Sequence, residues 1–111
     1  MTTRISFGTK REYLLKSRKI DLETSHFSSC RAMMEHPSFE EIVGLGKDAI
    51  VLMLRDIKRS LEIGIHWRFM AICKIAMNEN IKPVEIPEKS AGRVEQMRRL
   101  YLVWGRKHGF V

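Results

Sequence analysis

The stretch GLGKDAIVLMLRDIKR, residues 44–59, decides the fold. Two glycines precede a run of mostly apolar residues that ends in mixed charge. Asp48 lies in the first turn of the helix that this run predicts, and Lys58 and Arg59 lie in its last turn, where they complement the helix dipole. The apolar residues recur at helical spacing, which predicts a buried helix at the centre of the domain. They are Ile50, Leu54, Ile57 and Leu61, joined by Val51, Leu52 and Met53.

The glycines of this stretch also invite comparison with a nucleotide-phosphate loop. Such a loop requires a glycine, four residues, and then Gly-Lys-Ser/Thr. Here Gly46 and Lys47 are followed by Asp48, whose carboxylate would repel a phosphate and cannot replace the hydroxyl. The glycines also stand between two helical patterns rather than after a strand. The sequence therefore predicts a hinge between helices and not a nucleotide-binding loop.

Helical patterns continue on both sides of this hinge. Pro37 fits the first turn of a preceding helix, because its missing amide hydrogen costs nothing there. A less regular helix is expected to begin near Asp21. A break at Gly64 precedes a further helix, and Ser90 is placed to cap a last one. Together these signals predict an all-α fold, a compact bundle of four to five helices.

The composition is that of one globular domain, with 111 residues, 44% hydrophobic and 30% charged. We divide it into a basic N-terminal arm, residues 1–20, and a helical domain, residues 21–111. The longest apolar run, residues 49–54, is far too short to cross a bilayer. Residues 1–10 lack the apolar core of a signal peptide, so we expect a cytoplasmic protein with no membrane partner.

The formal charge of +7 is concentrated at the two ends of the chain. Residues 1–20 carry six basic side chains against one acidic, and residues 93–111 carry five against one. If the ends meet in the fold, they form one patch that attracts an acidic protein surface or a nucleic acid. Arginine beside aromatic residues is typical of binding hot spots. The candidate partner-binding residues are Arg4, Lys10, Arg11, Arg98, Arg99, Trp104 and Arg106.

The spacing of apolar residues in the last predicted helix indicates which way its arginines point. One apolar face is indicated by a repeat at i, i+3, i+7 and i+10, formed by Val94, Met97, Tyr101 and Trp104. Arg98, Arg99 and Arg106 turn away from that face at 3.6 residues per turn. We therefore expect all three arginines to be exposed and free to contact a partner.

Residues that could bind a metal or act as a nucleophile are few. His26 and Cys30 are one helical turn apart and could meet His66 and Cys73, but the tight paired spacings of a zinc site are absent. Cysteines without such spacing are more often small core residues. No local signature supports a Cys/His nucleophile either. We predict no metal site, no cofactor and no enzymatic activity.

Two resemblances add to this reading. Residues 37–77 resemble HEAT-type helical repeats through Leu45, Gly46, Ala49, Ile50, Leu52, Leu54, Trp67, Ala71 and Ile75. That resemblance implies helix pairs that bury one face and offer another to a partner. A wider pattern resembles a group of small uncharacterised bacterial proteins, through His36-Pro37, Ile42-Gly44-Gly46, Leu52 to Arg55, Trp67, Phe69, Pro83, Gly92, Met97 and Trp104-Gly105-Gly109. Asn78 to Asn80 depart from the Thr-Gly turn usual in that group.

The charge distribution and the two resemblances lead to two alternative hypotheses for the function. The second resemblance implies a compact helical accessory protein, often the partner of a neighbouring gene's product, and brings no catalytic residues with it. The first hypothesis is therefore a non-enzymatic protein-binding module, antitoxin-like, immunity-like or inhibitory. The alternative is a nucleic-acid-binding protein that uses the basic arm and the C-terminal helix, which a sequence pI near 9.8 fits.

Overall fold

The computed structural model describes residues 5–23, 33–59 and 64–111, and these residues form five α-helices and no strand. The helices are α1 (Phe7–Glu23), α2 (Pro37–Gly44), α3 (Lys47–Lys58), α4 (Ile65–Asn78) and α5 (Val94–Lys107), with a short 3-10 helix at Glu88–Ser90. The predicted all-α bundle is confirmed. Residues 24–32, which include His26, Cys30 and most of the helix predicted after Asp21, lie outside the described residues.

The central helix of the bundle is α3, as the opening stretch predicts. It packs against α1, α4 and α5. Leu54 is only 1% exposed. The buried residues of α3 are Ala49, Ile50, Val51, Leu52, Met53, Leu54 and Ile57. Because these residues cover more than one side of the helix, α3 is enclosed by its neighbours instead of lying at the surface.

The start of α2 and the hinge to α3 follow from local chemistry. The Nδ1 atom of His36 accepts a hydrogen bond from the backbone N–H of Ser38 at 3.0 Å, and Pro37 occupies the first turn as predicted. The other ring nitrogen, Nε2, lies 3.1 Å from a carboxylate oxygen of Glu23, so this cap also joins α1 to α2. At Gly46 the backbone φ is 73°, a conformation that strains a residue with a Cβ. The hinge thus depends on glycine.

The basic N-terminal segment, which the sequence analysis separates as an arm over residues 1–20, is largely helical and belongs to the bundle. Residues 7–23 form α1, which buries Tyr13, Ser17 and Ile20 and packs against α2 and α3. An ion pair between Lys16 and Glu41 adds to the contact with α2. The sequence signal was weak because α1 carries apolar residues on both its buried and exposed sides, so no single apolar face is visible.

The start of the last helix also differs from prediction. Ser90 belongs to the 3-10 helix and is buried, and Arg93 is the residue that precedes α5. Three residues, 91–93, lie between the 3-10 helix and α5. The backbone N–H of Arg93 donates to the carbonyl of Ser90 at 3.0 Å, so the chain turns once more before α5 begins.

Candidate protein-binding surface

The structure divides the predicted partner-binding residues between two helices. Lys10 and Arg11 lie on α1, and the others in the described part of the chain lie on α5; Arg4 is outside that part. Extensive packing joins α1 to α2 and α3, and α5 to α3, but does not join α1 to α5. The single basic patch expected from the two ends is therefore not built by direct packing between them.

The prediction that Arg98 is exposed is wrong. The residue is only 9% exposed, and its Nη1 atom forms an ion pair with Glu95 at 3.2 Å. Arg98 lies three residues before Tyr101 and seven before Gly105, so all three share one face of α5. Gly105 lies inside the helix, and its missing side chain lets Leu54 of α3 approach closely. The contact between α3 and α5 therefore lies on the side of α5 that carries Arg98.

The other predicted residues of α5 have mixed outcomes. Arg99 and Arg106 are exposed, as predicted. Trp104 is buried, and its indole N–H donates to the carbonyl oxygen of Lys82 at 2.8 Å. The indole therefore holds the segment before α5 against the helix. Beside it lies an open cleft of about 200 Å³ between residues 82–85 and the end of α5.

A second surface, on α1, combines basic and apolar side chains. Its residues form three rows with seven-residue spacing, close to two helical turns, so each row runs nearly along the helix axis. One row pairs Phe7 with Leu14, the middle row pairs Arg11 with Arg18, and the third pairs Leu15 with Leu22. We call these six residues the α1 outer face.

The apolar members of the α1 outer face are strongly exposed. Phe7 is 80% exposed, Leu14 49%, Leu15 55% and Leu22 74%. Phe7, Leu14 and Leu15 line an open and largely apolar hollow of about 390 Å³ together with Lys10 and Arg11. Single exposed apolar residues are common on protein surfaces, but a contiguous patch marks an interaction site. The α1 outer face is the candidate site for that reason.

The opposite side of α1 is fixed by a buried polar cluster around Arg68 of α4, which is 3% exposed. The guanidinium donates to Asp21 of α1, with Nη2 at 3.1 Å from Oδ2, and to Asp56 of α3, with Nε at 3.3 Å from Oδ2. Its Nε also donates to the hydroxyl of Tyr13 at 3.1 Å, and that hydroxyl donates to Asp56. Three helices are therefore joined through one side chain.

Further contacts orient this guanidinium. It lies 4.3 Å from the centre of the Trp67 ring, and the indole N–H of Trp67 donates to Asp21 at 2.8 Å. The carbonyl of Gly64 accepts from Arg68 at 3.0 Å. The cluster thereby holds α1 in a fixed orientation, with its outer face turned away from the core.

The cluster keeps its protonation state near neutral pH. Burial alone would lower the pKa of Arg68. Tyr13 and Asp21 together raise that pKa by more than burial lowers it, so the pKa of Arg68 lies above its ordinary value. Burial raises the pKa of Tyr13 well above its ordinary value. Because the guanidinium stays charged and the phenol stays protonated, neither group exchanges a proton near neutral pH. The geometry favours a structural role for this cluster.

The remaining thiol, Cys73, makes a polar contact inside the bundle. Its sulfur lies 3.0 Å from the hydroxyl oxygen of Tyr101, which donates to the carbonyl of Phe69 at 3.2 Å. His66, the other zinc candidate in the described residues, is exposed on α4. Across residues 5–23, 33–59 and 64–111, no three His, Cys, Asp or Glu side chains are grouped so that they could hold a metal ion.

Most of the α1 outer face and the cluster behind it were missed from sequence, although signals exist for both. Seven-residue spacing links Phe7 to Leu14, Arg11 to Arg18 and Leu15 to Leu22 in the sequence itself. Arg68 stands between Trp67 and Phe69, two large apolar residues of a mostly apolar segment. A buried arginine needs carboxylate partners, and the sequence does not show which aspartates supply them.

The chain matches no protein-family model, and no curated protein or solved structure is significantly similar to it. None of the helices described is long and apolar enough to cross a bilayer. The functional assignment therefore rests on the α1 outer face.

Proposed function

We propose that this chain is a non-enzymatic protein-binding module, an antitoxin-like, immunity-like or inhibitory accessory protein, that acts through the α1 outer face. The observation that carries the proposal is the exposure of four large apolar side chains on a helix whose opposite side is fixed in the core. Exposed apolar area of this kind is stabilised when a partner covers it. The bacterial accessory-protein pattern in the sequence supports the same class.

Site-specific photo-crosslinking in the cell that makes the protein tests this proposal. A photoreactive residue replaces Leu15 in one variant and Met77 in a control; Met77 is also exposed, at 66%, but lies on α4. We expect a discrete protein adduct from position 15 and none from position 77. Equal labelling at both positions, or none at either, would contradict the use of the α1 outer face.

A second candidate function is nucleic-acid binding, which one observation favours. The exposed cations of α5 and its flanks are Arg93, Arg99, Arg106 and Lys107. Phosphate contacts need only clustered Lys and Arg, and their affinity falls steeply with salt. A mobility-shift assay with duplex DNA and structured RNA at two salt concentrations tests this function, because the absence of a shift at the lower salt concentration would exclude it.

A further inference from the structure

We propose, building on the protein-binding function above, that the α1 outer face binds an amphipathic helix of a partner protein in which an acidic row lies between two apolar rows. The structural basis is the order of the three rows on α1: apolar, arginine, apolar. Seven-residue spacing keeps each row in line over two turns, which is the arrangement that packed helix pairs use. A partner helix lying along α1 can meet all three rows at once.

The positive charge of the α1 outer face favours an acidic partner helix. Arg11 and Arg18 form no ion pair within the residues that the structure describes, and Lys10 and Lys19 add positive charge on either side. The three acidic residues of α1 all have cationic or imidazole partners: Glu12 lies 3.9 Å from the ammonium group of Lys16, Asp21 pairs with Arg68 and Glu23 contacts His36. Carboxylates spaced to meet the two guanidinium groups would form charge-assisted, geometrically specific hydrogen bonds.

The same order of rows disfavours three other occupants. In a second copy of this chain, the arginine rows would face each other across the contact, and like charges destabilise such a contact. A helix that lies on a membrane has an apolar centre with basic residues at its edges, whereas the α1 outer face has arginines at its centre. A nucleic acid would use the basic row but leave the four apolar side chains uncovered.

Two synthetic helical peptides test this inference with the full-length protein. One carries glutamates at seven-residue spacing between two rows of leucine, and the other carries lysines at the glutamate positions. Fluorescence anisotropy measures the affinity of each. We expect the glutamate peptide to bind at least about tenfold more tightly, with a preference that shrinks as salt is added. Equal affinity for the two peptides would overturn the inference.

Charge reversal on the protein provides the matched control. The double variant Arg11→Glu with Arg18→Glu is expected to prefer the lysine peptide, whereas Arg99→Glu with Arg106→Glu, on α5, is expected to keep the original preference. If both double variants lose the preference equally, net charge and not the α1 outer face determines binding, and the inference is wrong. Circular dichroism of each variant identifies any that fails to fold; the milder pair Arg11→Gln with Arg18→Gln then replaces it, with an expected loss of the preference.

The outcomes also separate this inference from the proposed function. A specific adduct at position 15 combined with no preference for the glutamate peptide would leave the protein-binding function standing and reject the acidic helix. Absence of the adduct would instead reject protein binding through the α1 outer face, which is the proposed function. Tighter binding to anionic vesicles or to duplex DNA than to the glutamate peptide would assign the face to one of those partners instead.

Discussion

At the scale of single residues, Arg68 has the most demanding environment in the described part of the chain. Its charge is almost fully removed from water, and two carboxylates, a phenol and a backbone carbonyl compensate for the loss of hydration. A buried ion pair of this kind contributes little net stability, but removal of one partner leaves the other charges uncompensated. The carboxylates of Asp21 and Asp56 depend on Arg68 in this way.

The substitution Arg68→Ala is therefore expected to lower the free energy of unfolding by about 3 kcal/mol. Asp21 and Asp56 retain some contact with water, with side chains 23% and 22% exposed, which keeps the loss from being larger. Urea unfolding measures the change. The matched control is Arg99→Ala on the exposed side of α5, for which a change within about 0.5 kcal/mol is expected. Similar values for both variants would show that the buried cluster does not stabilise the fold.

Two arginines show how far sequence reasoning reaches at this scale. Arg99 was predicted to be exposed and is. The same periodicity predicts that Arg98 is exposed, because large apolar residues alone define the buried face that it indicates. Gly105, which has no side chain, also belongs to that face. Close approach at a glycine is a property of two packed helices, so one helix's sequence does not reveal it.

At the scale of helices, periodicity identified α3 and failed on α1. The apolar residues of α3 outnumber its polar ones along most of its length, so its burial was visible in the sequence. In α1 the buried residues Tyr13, Ser17 and Ile20 include a serine, while four larger apolar residues face outward. A helix with apolar residues on both sides has no clear amphipathic pattern. The outward-facing apolar residues hide the helical pattern of α1 in the sequence, and the same residues make α1 a candidate interface.

The contact between α3 and α5 provides an element-scale prediction. A methyl group at Gly105 would lie 2.5 Å from Cδ1 of Leu54 and 2.9 Å from Cγ2 of Val111. Leu54 is buried and cannot move away easily, so Gly105→Ala is expected to destabilise the fold by about 1–3 kcal/mol. Thermal or urea unfolding measures the loss.

Gly44 at the end of α2 is the control for this substitution, because a methyl group there would meet nothing within 4 Å. Alanine also restricts the unfolded chain more than glycine does. Gly44→Ala is therefore expected to be neutral or to stabilise by up to about 1 kcal/mol. If Gly105→Ala proved equally harmless, α5 would not pack on α3 as closely as the structure shows.

At the scale of the whole molecule, both tyrosines of the chain are buried in different parts of the bundle. Burial raises the pKa of Tyr13 well above its ordinary value, and the nearby Asp56 adds to the rise while Arg68 opposes it. Burial also raises the pKa of Tyr101, with Cys73 as the second cause. The two rings therefore report on the integrity of two separate regions of the core.

Alkaline titration uses these two rings. Because their pKa values are higher in the folded than in the unfolded chain, their contribution to stability is complete below about pH 10 and declines as the pH rises further. We expect no tyrosinate absorbance from the folded protein at about pH 10, and both tyrosines to ionise together when the protein unfolds at higher pH. In denaturant both should titrate near pH 10. A titration step in the folded protein with its midpoint near pH 10 and half of the full absorbance change would mean that one ring is open to water.

The turn at Gly64 comes directly before α4 and lies against the cluster around Arg68. Its φ of 77° favours glycine, and a methyl group there would collide with Asp21, with Arg68 at 2.5 Å and with Trp67 at 2.7 Å. A larger residue at position 64 would thus displace the acceptor, the cation and the aromatic ring together. In a diverging lineage these four positions should change jointly or not at all. Their covariation would be a signature by which distant relatives of this chain can be recognised even where the rest of the sequence has changed.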